Sequence, residues 1–200
     1  MSHEVELKQD IYEMIKDKCL EFYRESNQNI FDMQQKIMDL PEIPMHYPYH
    51  HFIVPAVLLT ASDVCAGKNE EELRNELDTA CERAKNVLGG FCGFYGACGA
   101  AVGVGIYYSV FTGTTPVSVD TWADCNRATA DALHRIAEIS GPRCCKRCSF
   151  QALFSAAESA KNGLGIELRT DPDVKCHYSH RNLDCKGSDC PYYAGNEQTA

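Results

Sequence analysis

The chain has 200 residues, 44% hydrophobic and 24% charged, with a formal net charge of −9. That length and balance suit one domain with a sizeable core, and the negative charge argues against nucleic acid or an anionic membrane surface as partner. Twelve cysteines with no secretion signal at the start of the sequence point to metal ligands, redox thiols or core thiols rather than a disulfide scaffold, and to the cytoplasm.

Residues 1–44 read as helical. Leu7, Ile11, Met14, Ile15, Cys19 and Phe22 recur at helical spacing among charged residues, which makes Cys19 a core thiol. A second helix covers residues 30–40 and stops at Pro41 and Pro44. In residues 45–61, MHYPYHHFIVPAVLLTA, the aliphatic part predicts a buried helix with Pro55 in its first turn. His46, His50 and His51 gather before it. Three imidazoles so close can bind metal, move protons or cap helices in a loop, and His50 and His51 are the proton-transfer candidates. Asn69 with Glu72 forms a capping box that opens a helix through Leu73, Leu77, Cys81, Ala84 and Leu88. Cys81 falls on its apolar face.

No charged residue occurs between Lys85 and Asp120. Residues 91–113, FCGFYGACGAAVGVGIYYSVFTG, predict one continuous central helix, with Gly96, Gly99, Gly103, Ile106 and Val110 along one stripe. A helical glycine costs roughly 1 kcal/mol relative to alanine, so the stripe implies a close-packed neighbour. Cys92 and Cys98 fall at the N-terminal end of this helix. The apolar portion, about 16 residues, is short of the roughly 20 that a bilayer requires, and no basic cluster flanks it. Neither a dinucleotide fingerprint nor a Walker motif is present.

Thr114-Thr115-Pro116 makes a turn, and Ser118 or Asp120 is expected to cap the next helix, with Trp122, Cys125, Thr129, Leu133 and Ile136 facing inward. Gly141-Pro142 stops it. A helix resumes after GPRCCKRC and runs to Asn162-Gly163. A short strand near residues 166–169 is the only β-structure expected. The fold class is therefore all-α: helices over 1–44, a helical core with thiol clusters over 45–165, and a cysteine-rich tail of the same domain over 166–200.

Two cysteine groups carry the chemistry. Cys144, Cys145 and Cys148 lie at a helix start beside Arg143, Lys146 and Arg147, where cations and the helix dipole favour thiolate. Cys145 and Cys148 also fit C-x-x-C, which suits a redox pair or metal ligands. The tail places Cys176, Cys185 and Cys190 in a polar loop, with His177 and His180 inside the first spacer. So polar a loop cannot order itself by core burial, and metal ligation would supply that energy. His177, His180 or a cysteine of the GPRCCKRC turn could complete a tetrahedral set. Cys190 followed by Pro191 also suits an iron–sulfur loop.

HYPYHHFIVPAVLL, GFCGFYGACGAAVGVGI, TPVSVDTWADCNRAT, GPRCCKR and the closing C…C…CPYY resemble an uncharacterised bacterial and archaeal cysteine-rich family, over roughly residues 45–193. Its members occur alone or joined to methyltransferase-like or radical-SAM-like parts and are sometimes labelled methyltransferases. Cys148 lies outside that family's pattern. CGAAVGVGIYYSVFTG is similar, more weakly, to a redox-active cysteine family with a Gly-Cys-Ala signature. Neither resemblance brings an established activity, and no glycine-rich strand–turn–helix for a methyl donor is present.

These features lead to a cytoplasmic metal–thiol protein, with an iron–sulfur cluster, in redox or sulfur-transfer chemistry. Cys92, Cys98, Cys144, Cys145, His50 and His51 are the expected catalytic residues, and Cys176, Cys185 and Cys190 the metal ligands. The alternative is a non-catalytic accessory module with structural zinc. Either would serve a redox or enzyme partner protein.

Overall fold

Between Tyr49 and Ala66 nearly every side chain is buried, so this helix has no solvent face and forms the axis of the molecule. The computed structural model describes residues 7–195. Its helices are α1 (Gln9–Arg24), α2 (Ile30–Met38), α3 (Tyr49–Ala66), α4 (Glu70–Lys85), α5 (Phe91–Phe94), α6 (Gly99–Phe111), α7 (Trp122–Ala137) and α8 (Cys145–Ser159). A π-helical turn, Ala160–Leu164, extends α8, and two 3₁₀ turns, Ser179–Arg181 and Gly187–Asp189, shape the tail. The fold is all-helical. Residues 166–169 form no strand: Arg169 makes only an isolated bridge to Asn29, accepting from the Ile30 amide at 3.1 Å.

Around α3 pack α1, α2, α4, α6 and α8, and α7 closes over α6 and α8. Asn69 and Glu72 form the expected capping box of α4. Cys19, Cys81 and Cys125 are core residues. In α7 the buried positions are Cys125, Ala128 and Ala132, whereas Trp122 is 50% exposed. Small residues face inward because α7 lies close to α6, where a Cβ on Gly105 would run into Thr129. The cap of α7 is Thr121, whose hydroxyl makes no capping bond to the helix, rather than Ser118 or Asp120.

The central stretch is not one helix. Gly90 and Gly96 adopt φ of +84° and +68°, and they divide it into the four-residue α5 and the thirteen-residue α6. Gly96 therefore leaves the predicted stripe and stands in open space. Gly99 and Gly103 keep it, against α3. A Cβ on Gly99 would overlap the His51 ring, and one on Gly103 would sit 2.9 Å from Pro55 Cδ and 3.0 Å from the His51 carbonyl oxygen. Pro55 is the seventh residue of α3, not in its first turn. Lacking an amide hydrogen, it leaves the His51 carbonyl without its helical donor, and the bare backbone of Gly103 covers that oxygen.

Candidate functional site

Cys144 and Cys145, adjacent in sequence, serve two different groups of thiols. Cys144 caps α8 in extended backbone (φ −145°, ψ 109°), and the helix proper begins at Cys145. The two side chains diverge at that change of conformation. Cys148 follows Cys145 by three residues and so shares its side of α8.

On that side stands Cys98, the N-cap of α6. Cys148 acts on Cys98 across the packing of α6 against α8, and the Ala100 amide is directed at the Cys98 sulfur. Cys148 and the Ala100 amide hold Cys98 below the ordinary thiol range against the opposing effect of burial. The neighbouring Cys98 and desolvation hold the Cys148 thiol far above it. Cys145 and Cys92 lie within electrostatic range of Cys98. Burial and the neighbouring Cys148 push Cys145 up to about 12. All four of these cysteines are half-buried, whereas Phe94 and Tyr95, on the loop between Cys92 and Cys98, are 84% and 71% exposed.

Burial raises the thiols of Cys144 and Cys145 and outweighs the lowering effect of Arg147 on the first and of Arg143 on the second. Arg147 donates to the carbonyls of Pro142 at 2.7 Å and Ser140 at 3.4 Å. Lys146 turns into the core, where its ammonium meets His50 Nε2 at 2.9 Å and the Tyr178 ring at 4.9 Å. Burial lowers the Lys146 amine to about 8.

Each histidine of the cluster before α3 and at its start has a fixed tautomer. His50 Nδ1 donates to the Tyr47 carbonyl at 2.9 Å, leaving Nε2 to accept from Lys146. His51 Nδ1 donates to the Val87 carbonyl at 2.8 Å, and its ring lies against Gly99. His46 Nε2 donates to Asn182 Oδ1 at 3.0 Å, and its Nδ1 faces the Cys145 amide at 3.5 Å. Burial lowers the pKa of all three, so they are neutral near pH 7. His51 borders the Cys98 group, His50 is bound to Lys146 in the core, and His46 ties the tail to the start of α8.

The second group is in the tail. Cys144, Cys176, Cys185 and Cys190 line one narrow cavity of about 20 Å³, together with Met45, Asn182 and Tyr192. Backbone amides point at three of these sulfurs two residues downstream: Lys146 toward Cys144, Tyr178 toward Cys176, and Gly187 toward Cys185 at 3.4 Å. Asn182 Nδ2 adds a contact to Cys144 at 3.8 Å. Burial raises the Cys176 thiol to about 11. Neither tail histidine lines the cavity: His177 pairs with Asp39 at 2.7 Å and His180 is exposed. In this arrangement no three His, Cys, Asp or Glu side chains among the described residues converge closely enough to hold an ion, so the thiols would have to rotate inward.

The sequence pattern of a family of unknown function (DUF5714) matches residues 15–193. The chain belongs to this family. The match begins inside α1 and so reaches beyond the motifs of residues 45–193. No curated protein and no solved structure matches the chain.

Two residues of this DUF5714 chain have surroundings that a sequence reading misses. Cys148, which the sequence pairs with Cys145 as C-x-x-C, also acts on Cys98 of another helix. Lys146 reads as a surface cation beside cysteines and is 0% exposed. A larger groove of about 680 Å³, lined by α7 and α8, has no cysteine in its wall. Among the described residues no helix is long and apolar enough to cross a membrane.

Proposed function

We infer that the chain is a metal–thiol protein whose tail binds one ion through Cys144, Cys176, Cys185 and Cys190, beside a second group of thiols that performs redox or sulfur-transfer chemistry. The observation that carries this is the convergence of four cysteines, from two distant segments, on one cavity. Amides directed at three of their sulfurs would stabilise thiolates once an ion displaces the protons. Four sulfur ligands suit tetrahedral zinc, and a cavity of about 20 Å³ suits a single ion. Zinc here would order the tail, while electron or sulfur transfer falls to Cys92, Cys98, Cys145 and Cys148. Free cysteines throughout the described residues fit a reducing compartment such as the cytoplasm.

A second reading places an iron–sulfur cluster on the same four thiols, favoured by the Cys190-Pro191 step and requiring the tail to open around it. Metal analysis and an absorption spectrum of anaerobically purified protein test both. One zinc per chain in a colourless sample, lost in Cys144→Ser and Cys185→Ser alike, is the expected result. Iron with sulfide in a brown sample would turn the assignment to the cluster. Absence of any metal overturns both.

A further inference from the structure

One side chain joins the two segments that supply the tail cavity with cysteines. Asn182, 7% exposed, lies in the cavity wall. Its Nδ2 meets Cys144 Sγ at 3.8 Å, within reach of an N–H···S bond, and its backbone carbonyl accepts from the Cys185 amide at 3.1 Å. A single residue thus touches the cysteine at the start of α8 and holds the backbone of one in the tail. The orientation of its carboxamide is set from outside the cavity. Oδ1 accepts from His46 Nε2 at 3.0 Å and from the Asp184 amide at 3.1 Å. A backbone amide can only donate, so the atom it meets is the oxygen and the group facing Cys144 is the NH₂.

We propose that Asn182 is the positioning residue of the metal site: its side chain aims Cys144 at the ion while its carbonyl keeps Cys185 beside it, so that ion binding and docking of the tail on α8 occur together. The proposal rests on the reading of the tail as a metal site and names the residue through which that site grips the helical core.

The chemistry at Cys144 favours this role. Ligation takes the proton from each thiol. The thiolate left at Cys144 is buried, and a donor to an ionised sulfur bonds more strongly than a donor to a thiol. The carboxamide therefore favours the metal-bound form over the free one. Its counterpart at Cys185, the Gly187 amide at 3.4 Å, comes from the same turn of the tail and serves that sulfur wherever the tail lies. Asn182 reaches across to α8, and its bond to sulfur forms only with the tail docked. His46, which precedes α3, completes the path: one side of its ring holds Oδ1 and the other faces the Cys145 amide at 3.5 Å. Groups that orient metal ligands in this way change affinity by about 10–100-fold when removed.

The test uses full-length protein purified without oxygen. Zinc affinity is measured by competition with a chromogenic chelator, and Co(II) in place of zinc reports the sulfur ligands through their charge-transfer absorption. Asn182→Asp keeps the size of the side chain and an oxygen for His46 and the Asp184 amide, and it removes the donor to Cys144. It should still bind one zinc, about 10–100-fold more weakly than the parent, and shift the sulfur-to-cobalt band. His46→Gln, which can still donate to Oδ1, should stay near the parent, and His46→Leu should fall between the two. The metal-free Asn182→Asp protein should unfold at the same denaturant concentration as the metal-free parent, which separates misaligned ligands from a damaged fold. Parent-like zinc affinity in Asn182→Asp overturns the proposal and leaves the metal reading standing. So does weaker binding with an unchanged cobalt band, or with earlier unfolding of the metal-free protein, either of which marks a merely structural residue. A parent that binds neither zinc nor cobalt overturns the metal reading and this proposal with it.

Discussion

The two thiol groups that meet at the start of α8 are held in opposite ways. Cys98, Cys145 and Cys148 stand on helices whose other faces are fixed by the core, so their positions follow from packing. Cys176, Cys185 and Cys190 stand on a tail with two 3₁₀ turns and few buried residues, chiefly Val174, Tyr178, Asn182 and Tyr192. A thiol on a packed helix can keep its geometry while it changes oxidation state. A thiol on a polar loop needs a ligand to supply the ordering energy. The comparison therefore separates a reactive role from a structural one, within one pair of adjacent residues, Cys144 and Cys145.

The largest test of that division is metal removal. Chelation, or Cys185→Ser, is expected to speed tryptic cleavage after Lys175 and Lys186 by roughly tenfold or more, since local order there depends on the ion. Alkylation of Cys98 should be unchanged in the same sample. If both respond together, the two groups are one site.

Gly99→Ala probes the packed side. The added methyl would run into the His51 ring, which α3 and the Val87 carbonyl hold in place, so a loss of about 1–3 kcal/mol is expected in chemical denaturation. The tail's protease sensitivity should stay at the parent level.

His46→Ala cuts the bridge between the groups. It removes one of the two donors to Asn182 Oδ1, the other being the Asp184 amide, and the ring facing the Cys145 amide, for an expected loss of about 1 kcal/mol. Faster cleavage of the tail with no change in Cys98 labelling would show that the bridge holds the loop rather than tunes the thiol.

Thiol titration gives the smallest effect and the finest distinction. Cys98, held low by Cys148 and the Ala100 amide, should alkylate as the pH rises before Cys19 and Cys81, which burial raises to about 12 and about 11. Equal rates for the three would break the comparison. Far from both groups, at the other end of α3, buried Asp63 is raised to about 7 by burial and by Glu76, with Lys68 at 3.1 Å. The folded carboxyl keeps a proton that the unfolded one loses near 3.8, so its contribution to stability falls as pH rises from about 4 to 7. Asp63→Asn should flatten that slope in melting temperature and leave the thiols untouched.

How much of this was legible in the sequence varies by element. The α4 capping box depends on residues three apart, so Asn69 and Glu72 announce it locally. Periodicity accounts for part of the glycine stripe. Gly99 and Gly103 do face α3, but Gly96 adopts positive φ, a turn that uniform helical spacing gives no sign of. Periodicity places Trp122 inward, yet it stands outward, because the close approach of α6 and α7 selects Cys125, Ala128 and Ala132 for the contact.

By itself the sequence determined an all-α fold, a core written around an uncharged glycine-rich stretch, and a tail too polar to order itself. Those properties reside in spacing and composition, which act between near neighbours along the chain. Only the tertiary structure decided how the cysteines are grouped. It sends Cys144 to the tail and Cys145 to α6, brings Cys148 to Cys98, and buries Lys146 against His50. Each of these depends on where two helix starts meet, and on desolvation that outweighs the local cations in setting which thiol carries charge.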